Sequence, residues 1–123
     1  MEEWRIPMNI KLITHNYQDE VTQEVLPIVV EFFAPWCPKC AMMKDVVDRL
    51  ATRYHGRLLF KKVNIDLSEE TAQTLGIEIV PTFVIYNHGK ILGYTSGVLS
   101  EQTLADRIFE ILDMPEPRGD GSP

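Results

Sequence analysis

The chain has 123 residues, of which 45% are hydrophobic and 24% charged, and a formal net charge of −6. That length suits one domain with a core of its own, and the balance of apolar to charged residues excludes a disordered, coiled-coil or fibrous chain. The acidic balance opposes binding to nucleic acid or anionic membrane, and no apolar run is long enough to cross a bilayer.

The opening residues, MEEWRIP, put acids where a secretory leader would carry bases, with no uninterrupted apolar stretch behind them. A cytoplasmic location is the expectation. Asn9 to Thr14 is predicted as a first strand and Asp19 to Val25 as a short helix. Ile28-Val29-Val30-Glu31-Phe32-Phe33 is a β-rich run without alternation, which marks a central strand covered on both faces. Pro38 suits the first turn of a helix in which Met42, Val46, Leu50 and Tyr54 recur at helical spacing, and His55-Gly56 ends it. Lys44 with Asp48 and Asp45 with Arg49 are spaced four apart and read as solvated surface pairs.

Leu58 to Ile65 is predicted as the next strand. A short helix follows, with Ser68 as N-cap, Glu69 and Glu70 in its first turn and Gly76 as its stop. Thr82 to Tyr86 and Lys90 to Tyr94 flank Asn87-His88-Gly89 as an antiparallel hairpin. Ser100 caps a last helix with Leu104, Ile108, Ile111 and Leu112 as its buried stripe. Residues 1–113 therefore form one domain, and Met114 to Pro123, rich in Pro, Gly and charge, a disordered tail whose Arg118-Gly119-Asp120 triplet reads as chance. The element order implies an α/β sandwich: a central mixed sheet of about five strands flanked by about four helices.

Both cysteines of the chain lie in Trp36-Cys37-Pro38-Lys39-Cys40, which leaves none for a wider disulfide framework and suits a reducing compartment. Three apart at a helix start, they share one face with β-carbons about 5–6 Å apart. They can then join and separate with modest adjustment. Cys37 stands between strand and helix, where unpaired N–H groups and the helix dipole favour a thiolate, so it is the candidate nucleophile. Cys40, deeper in the helix and expected to be more buried, suits the resolving role. The same spacing is half of a zinc site, but His15, His55 and His88 fall in three separate loops with no second motif, so no metal is expected. Without a phosphate-binding glycine motif no nucleotide or flavin is expected either, and the redox group is the Cys37–Cys40 disulfide itself.

Glu31 interrupts the central strand six residues before Cys37. Buried, it would have a raised pKa and could take the Cys40 proton; the alternative is a strand-end residue that reaches solvent, and the sequence leaves both open. Lys62, on the adjoining strand, is its natural ionic partner. Lys39 places a cation inside the motif beside Pro38, and stabilising the reduced form would make the couple more oxidising.

Ile28 to Cys40, Lys62 to Asp66, Val80-Pro81-Thr82 and Gly97, in this order and spacing, resemble the thioredoxin family from about Asn9 to Leu112. The resemblance implies a thioredoxin fold and a protein disulfide reductase, acting on disulfide-bearing proteins and re-reduced by a flavoprotein of the thioredoxin reductase type that uses NADPH; a monomer is the expectation, although the sequence itself does not state the oligomeric state. It implies a cis Pro81 facing the cysteines, Val80 offering its backbone to an extended substrate, and Trp36, Val80 and Gly97 rimming the groove. Glu31 then corresponds to the family's buried acid and Lys62 to its charged neighbour. The family usually has Gly-Pro between the cysteines, Asp at position 31, Trp at 33 and Pro at 45. The run Glu31-Phe32-Phe33-Ala34-Pro35-Trp36-Cys37 looks more like the catalytic domains of protein disulfide isomerase, whose usual Gly-His between the cysteines is absent. An oxidase or isomerase role, a non-catalytic docking module and a metal carrier are the alternatives.

Overall fold

The computed structural model describes residues 10–117. Among them the chain runs β1 (Ile10–Ile13), α1 (Tyr17–Thr22), β2 (Ile28–Phe33), α2 (Pro38–Arg53), β3 (Leu59–Asn64), α3 (Glu69–Leu75), β4 (Thr82–Asn87), β5 (Lys90–Ser96) and α4 (Glu101–Leu112). The strands form one sheet of order β1-β3-β2-β4-β5. Here β1, β3 and β2 are parallel, β4 runs antiparallel to β2, and β5 antiparallel to β4. The expected mixed sheet with four helices is what the chain forms.

The central place of β2 follows from its composition, because apolar residues at successive positions need cover on both faces. Val29 joins Phe60, Phe83 and Ile85 under α2 and α4. Val30 and Phe32 join Val84, Tyr86 and Val21 of α1 on the other face. The carboxyl end of β2 feeds directly into the turn that starts α2. That is how a buried strand delivers a residue to the rim of the sheet.

Several expected details move. The start of the first strand at Asn9 lies outside the described residues, and the first helix begins at Tyr17, two residues early, and stops at Thr22. In α2 the buried residues are Cys40, Met43, Val47, Leu50 and Ala51, while Met42 is 64% exposed. A strict four-residue spacing turns roughly 40° off the face at each step, so the Met42–Val46 register drifts away from the stripe that Leu50 and Tyr54 belong to. Lys44 does pair with Asp48 at 2.9 Å, but Arg49 reaches Glu101 of α4 at 2.8 Å rather than Asp45.

At the hairpin, His88 (φ 53°) and Gly89 (φ 76°) both adopt positive φ, as a two-residue type I′ turn requires, so the strands extend to Asn87 and from Lys90. Ser100 caps α4 as expected, its Oγ accepting the Thr103 N–H at 3.1 Å, whereas Ser68 makes no side-chain cap bond. The segment expected to be disordered from Met114 lies back on the domain at its start. Glu116 pairs with Arg53 at 2.9 Å, accepts from Gln102 at 3.1 Å and accepts the Tyr54 hydroxyl. Arg118 to Pro123, with the RGD triplet, lies outside the described residues.

Candidate active site

Cys37 is the N-cap of α2, with extended backbone (φ −95°, ψ 110°), and Pro38 follows at the first helical position. The Sγ of Cys37 accepts the backbone N–H of Cys40 at 3.2 Å. That N–H is one of the orphan donors at a helix start, and here a sulfur satisfies it. From the other side the thiol donates to the carbonyl of Val80 at 3.6 Å. Both cysteines are free and form a small cluster with Ala34, against which Phe33, Ile65 and Val80 pack.

Cys40 is not the more buried of the two, since Cys37 is 6% and Cys40 7% exposed. The loop ahead of β4 covers Cys37 as fully as the helix covers Cys40. The two are separated by their surroundings instead. Burial first, then the hydrogen bond with Cys37, pushes the Cys40 thiol up to about 12, against a lowering by the Ala34 backbone. Charge on Cys37 and on Glu31 adds to the rise.

Glu31 is 3% exposed, which decides between the two sequence readings in favour of a buried carboxylate. In β2 it stands in register with Lys62 of β3 and Phe83 of β4, on the face covered by α2. Lys62 Nζ lies 3.8 Å from Oε1, an ion-pair distance but too long for a hydrogen bond. Oε1 has no hydrogen-bond partner, and among the described residues it is the one buried side-chain nitrogen or oxygen so placed. Burial raises the Glu31 carboxyl to about 7, with Lys62 opposing the rise and Asp48 adding to it. A cavity of about 260 Å³ joins Glu31, Cys37, Cys40, Lys44 and Lys62.

The remaining predicted residues gather at the same rim. Trp36 is 65% exposed, its indole N–H held by Asp66 at 3.0 and 3.3 Å. The Val80-Pro81 bond is cis. Gly97 (φ 93°) donates its N–H to the Pro81 carbonyl at 3.0 Å, a backbone shape that any side chain would strain. Pro38 and Lys39 lie exposed on the first turn of α2.

Sequence reasoning gave Asp66 no role, although a residue just past the carboxyl end of β3 must reach the same rim as Cys37 in a parallel pair. It also set Lys44 and Asp48 aside as surface. Among the described residues no group of three or more His, Cys, Asp and Glu side chains could hold a metal ion, and no helix is long and apolar enough to cross a membrane.

A mixed sheet with two helices on each face, and a dithiol at the start of the helix that leaves its central strand, define a thiol–disulfide oxidoreductase. The sequence pattern of thioredoxin matches residues 8–110, and the chain belongs to the thioredoxin family. It is 38% identical over 97 residues to chloroplastic thioredoxin M4 of Arabidopsis thaliana, covering 79% of this chain and 50% of that one. With the thioredoxin of Synechocystis it shares 33% identity over 97 residues, 79% of this chain and 91% of the relative. The crystal structure of a thioredoxin from Nicotiana alata superposes with a TM-score of 0.73 at 24% identity, over 83% of this chain and 91% of that one, which bears on the fold.

Proposed function

We propose that the chain is a protein disulfide reductase in which Cys37 is the nucleophile, Cys40 the resolving thiol and Glu31 the proton acceptor. The Cys37 thiolate attacks a substrate disulfide; a bond forms between Cys37 and one substrate sulfur, and the other leaves with the electron pair. Cys40 then attacks the Cys37 sulfur and gives its proton to Glu31, directly or through water in the cavity. The second substrate thiol departs, and two electrons have passed from the protein to the substrate. Two of the influences that hold the proton on Cys40 come from Cys37 itself, its hydrogen bond and its charge. Both are lost once Cys37 is bonded to substrate, so the resolving thiol is released when it is needed.

The observation that carries this reading is the Cys37 sulfur accepting an orphan N–H at the start of α2, beside a buried carboxylate with an unpartnered oxygen. Trp36, Val80 and Gly97 would rim the docking groove, with Pro81 facing the dithiol. A flavoprotein reductase drawing on NADPH would restore the dithiol, and disulfide-bearing proteins would be the substrates. A reducing compartment, the cytoplasm first, fits a chain whose two cysteines are both spent on the active pair. Exposed Lys39 would make the couple more oxidising than thioredoxin at about −270 mV, yet short of protein disulfide isomerase at about −180 mV. A potential at or below the thioredoxin value overturns the role given to Lys39.

Trapping tests the roles directly. Cys40→Ser should stall as a mixed disulfide on Cys37 with protein substrates, while Cys37→Ser should trap none. Equal capture by both variants, or no catalysed insulin reduction by the wild-type protein, overturns the assignment.

A further inference from the structure

Two lysines line the cavity that holds Glu31, and Lys62 is the one at ion-pair distance from it. Lys44 lines the same cavity one turn past Cys40 on α2, and its ammonium group is bound to Asp48 at 2.9 Å. The Lys44 side chain is 67% exposed and that of Asp48 24% exposed, so Lys44 stands where the cavity meets solvent, with Asp48 beside it. The acid in that cavity has no hydrogen bond to stabilise it at Oε1.

We propose that the Lys44–Asp48 pair is a positioning element of the proton relay: its two opposite charges at the cavity mouth set the pH at which Glu31 takes up and releases the Cys40 proton. This rests on the proposed reductase reading. The charged or titratable groups that share the cavity with Glu31 are Lys62 from β3, and Cys37, Cys40 and Lys44 from the turn and body of α2, with Asp48 behind Lys44 as its ion-pair partner; β4 contributes Phe83, which is apolar. Asp48 favours the protonated acid, in keeping with its contribution to the raised Glu31 pKa. Lys44, held against Asp48 at 2.9 Å, carries the opposite charge and opposes that influence. The resulting balance leaves Glu31 able to accept a proton during resolution and to lose it afterwards to the cavity mouth.

Opposite substitutions must then act in opposite directions. Lys44→Gln leaves Asp48 uncompensated and should move the midpoint of the acid limb of mixed-disulfide resolution up by about half a pH unit at low salt. Asp48→Asn frees Lys44 and should move it down by a similar amount. The double variant should return close to the wild-type midpoint, and both shifts should shrink at high salt. A merely structural role for the pair would alter thermal stability without moving the midpoint.

The experiment is stopped-flow resolution of a mixed disulfide between full-length protein and a peptide thiol, followed from pH 5 to 9, with circular dichroism confirming that each variant is folded. Opposite shifts that cancel in the double variant support the proposal. Unmoved midpoints, or shifts of one sign in both single variants, overturn it. Should the wild-type protein fail to resolve the mixed disulfide at all, the reductase reading falls; should it resolve normally while the midpoints stay fixed, only the role of Lys44 and Asp48 falls.

Discussion

The two ends of α2 are built to opposite rules. Its last turns send Val47, Leu50 and Ala51 into a core shared with Leu104, Ala105 and Ile108 of α4, all of them 1% exposed or less. Tyr54 closes that end against the edge of Phe109, ring centroids 5.1 Å apart, and gives its hydroxyl to Glu116. The first turn instead overlies a cavity, two unjoined thiols and a carboxylate with an unpartnered oxygen. One helix thus anchors the domain at one end and leaves groups at the other that would be costly in an ordinary core. Stability supplied by the packed end is what lets the reactive end stay incompletely satisfied.

The comparison predicts that substitutions at the two ends separate activity from stability. The largest effect belongs to Cys37→Ser. Oxygen cannot exchange bonds with a disulfide as sulfur does, so insulin reduction should fall by at least about 1,000-fold while the thermal midpoint changes little. Loss of the fold along with the activity would show that the first turn carries structural weight after all. Next is Leu50→Ala, which opens a cavity at a position with no exposure and should cost about 3–4 kcal/mol in guanidinium unfolding. Its activity per folded molecule should match wild type, because Leu50 belongs to the core cluster shared with α4 and not to the one around Cys37 and Cys40.

The same contrast explains what could be read in the sequence. The dithiol, the strand before it and the cap of α4 were legible because each depends on neighbours within a few residues: an unbroken apolar run, a proline at a first turn, Ser100 ahead of Thr103. Fold class followed from the order of such segments. The cover over Cys37 was not legible, since it comes from Val80, 43 residues away along the chain. The burial of Glu31 hung on α2 crossing above it, and no local pattern states that. Met42 was misplaced because a short stretch of helix allows two registers, and only the packing of Met43 and Val47 against the sheet chooses between them. Asp66 was missed because it binds Trp36 across the gap between two loops, a contact that parallel topology creates and spacing does not reveal.

Glu31→Gln sharpens the contrast by removing the charge while keeping the shape. In the folded protein the Glu31 carboxyl is pushed up to about 7, above its ordinary value of 4.5, so the native state holds the proton more tightly than the unfolded chain. Wild-type stability is therefore greatest below about pH 4.5 as far as this group is concerned, falls as pH rises through the window from 4.5 to 7, and carries the full penalty above 7. That penalty is about 3 kcal/mol, so at pH 8 Glu31→Gln should be more stable than wild type by roughly 2–3 kcal/mol, and at pH 4 the two should converge. Resolution by Cys40 should slow in the same variant. A stability difference that does not change with pH would mean that the buried carboxyl is not the titrating group.

The smallest effect tests whether the packed end keeps any dependence on single polar contacts. Ser100→Ala removes the acceptor of the Thr103 N–H at the start of α4 and should cost about 1 kcal/mol in denaturant unfolding. Ser100→Asp restores an acceptor and adds a negative charge where the helix dipole favours one, so it should recover that loss. Neither change should alter the pH profile of disulfide exchange, because no residue of α4 lines the cavity beside Cys40. A profile that moved with Ser100 would mean that the two ends of α2 are mechanically coupled, and the division of labour along this helix would fail at its least demanding point.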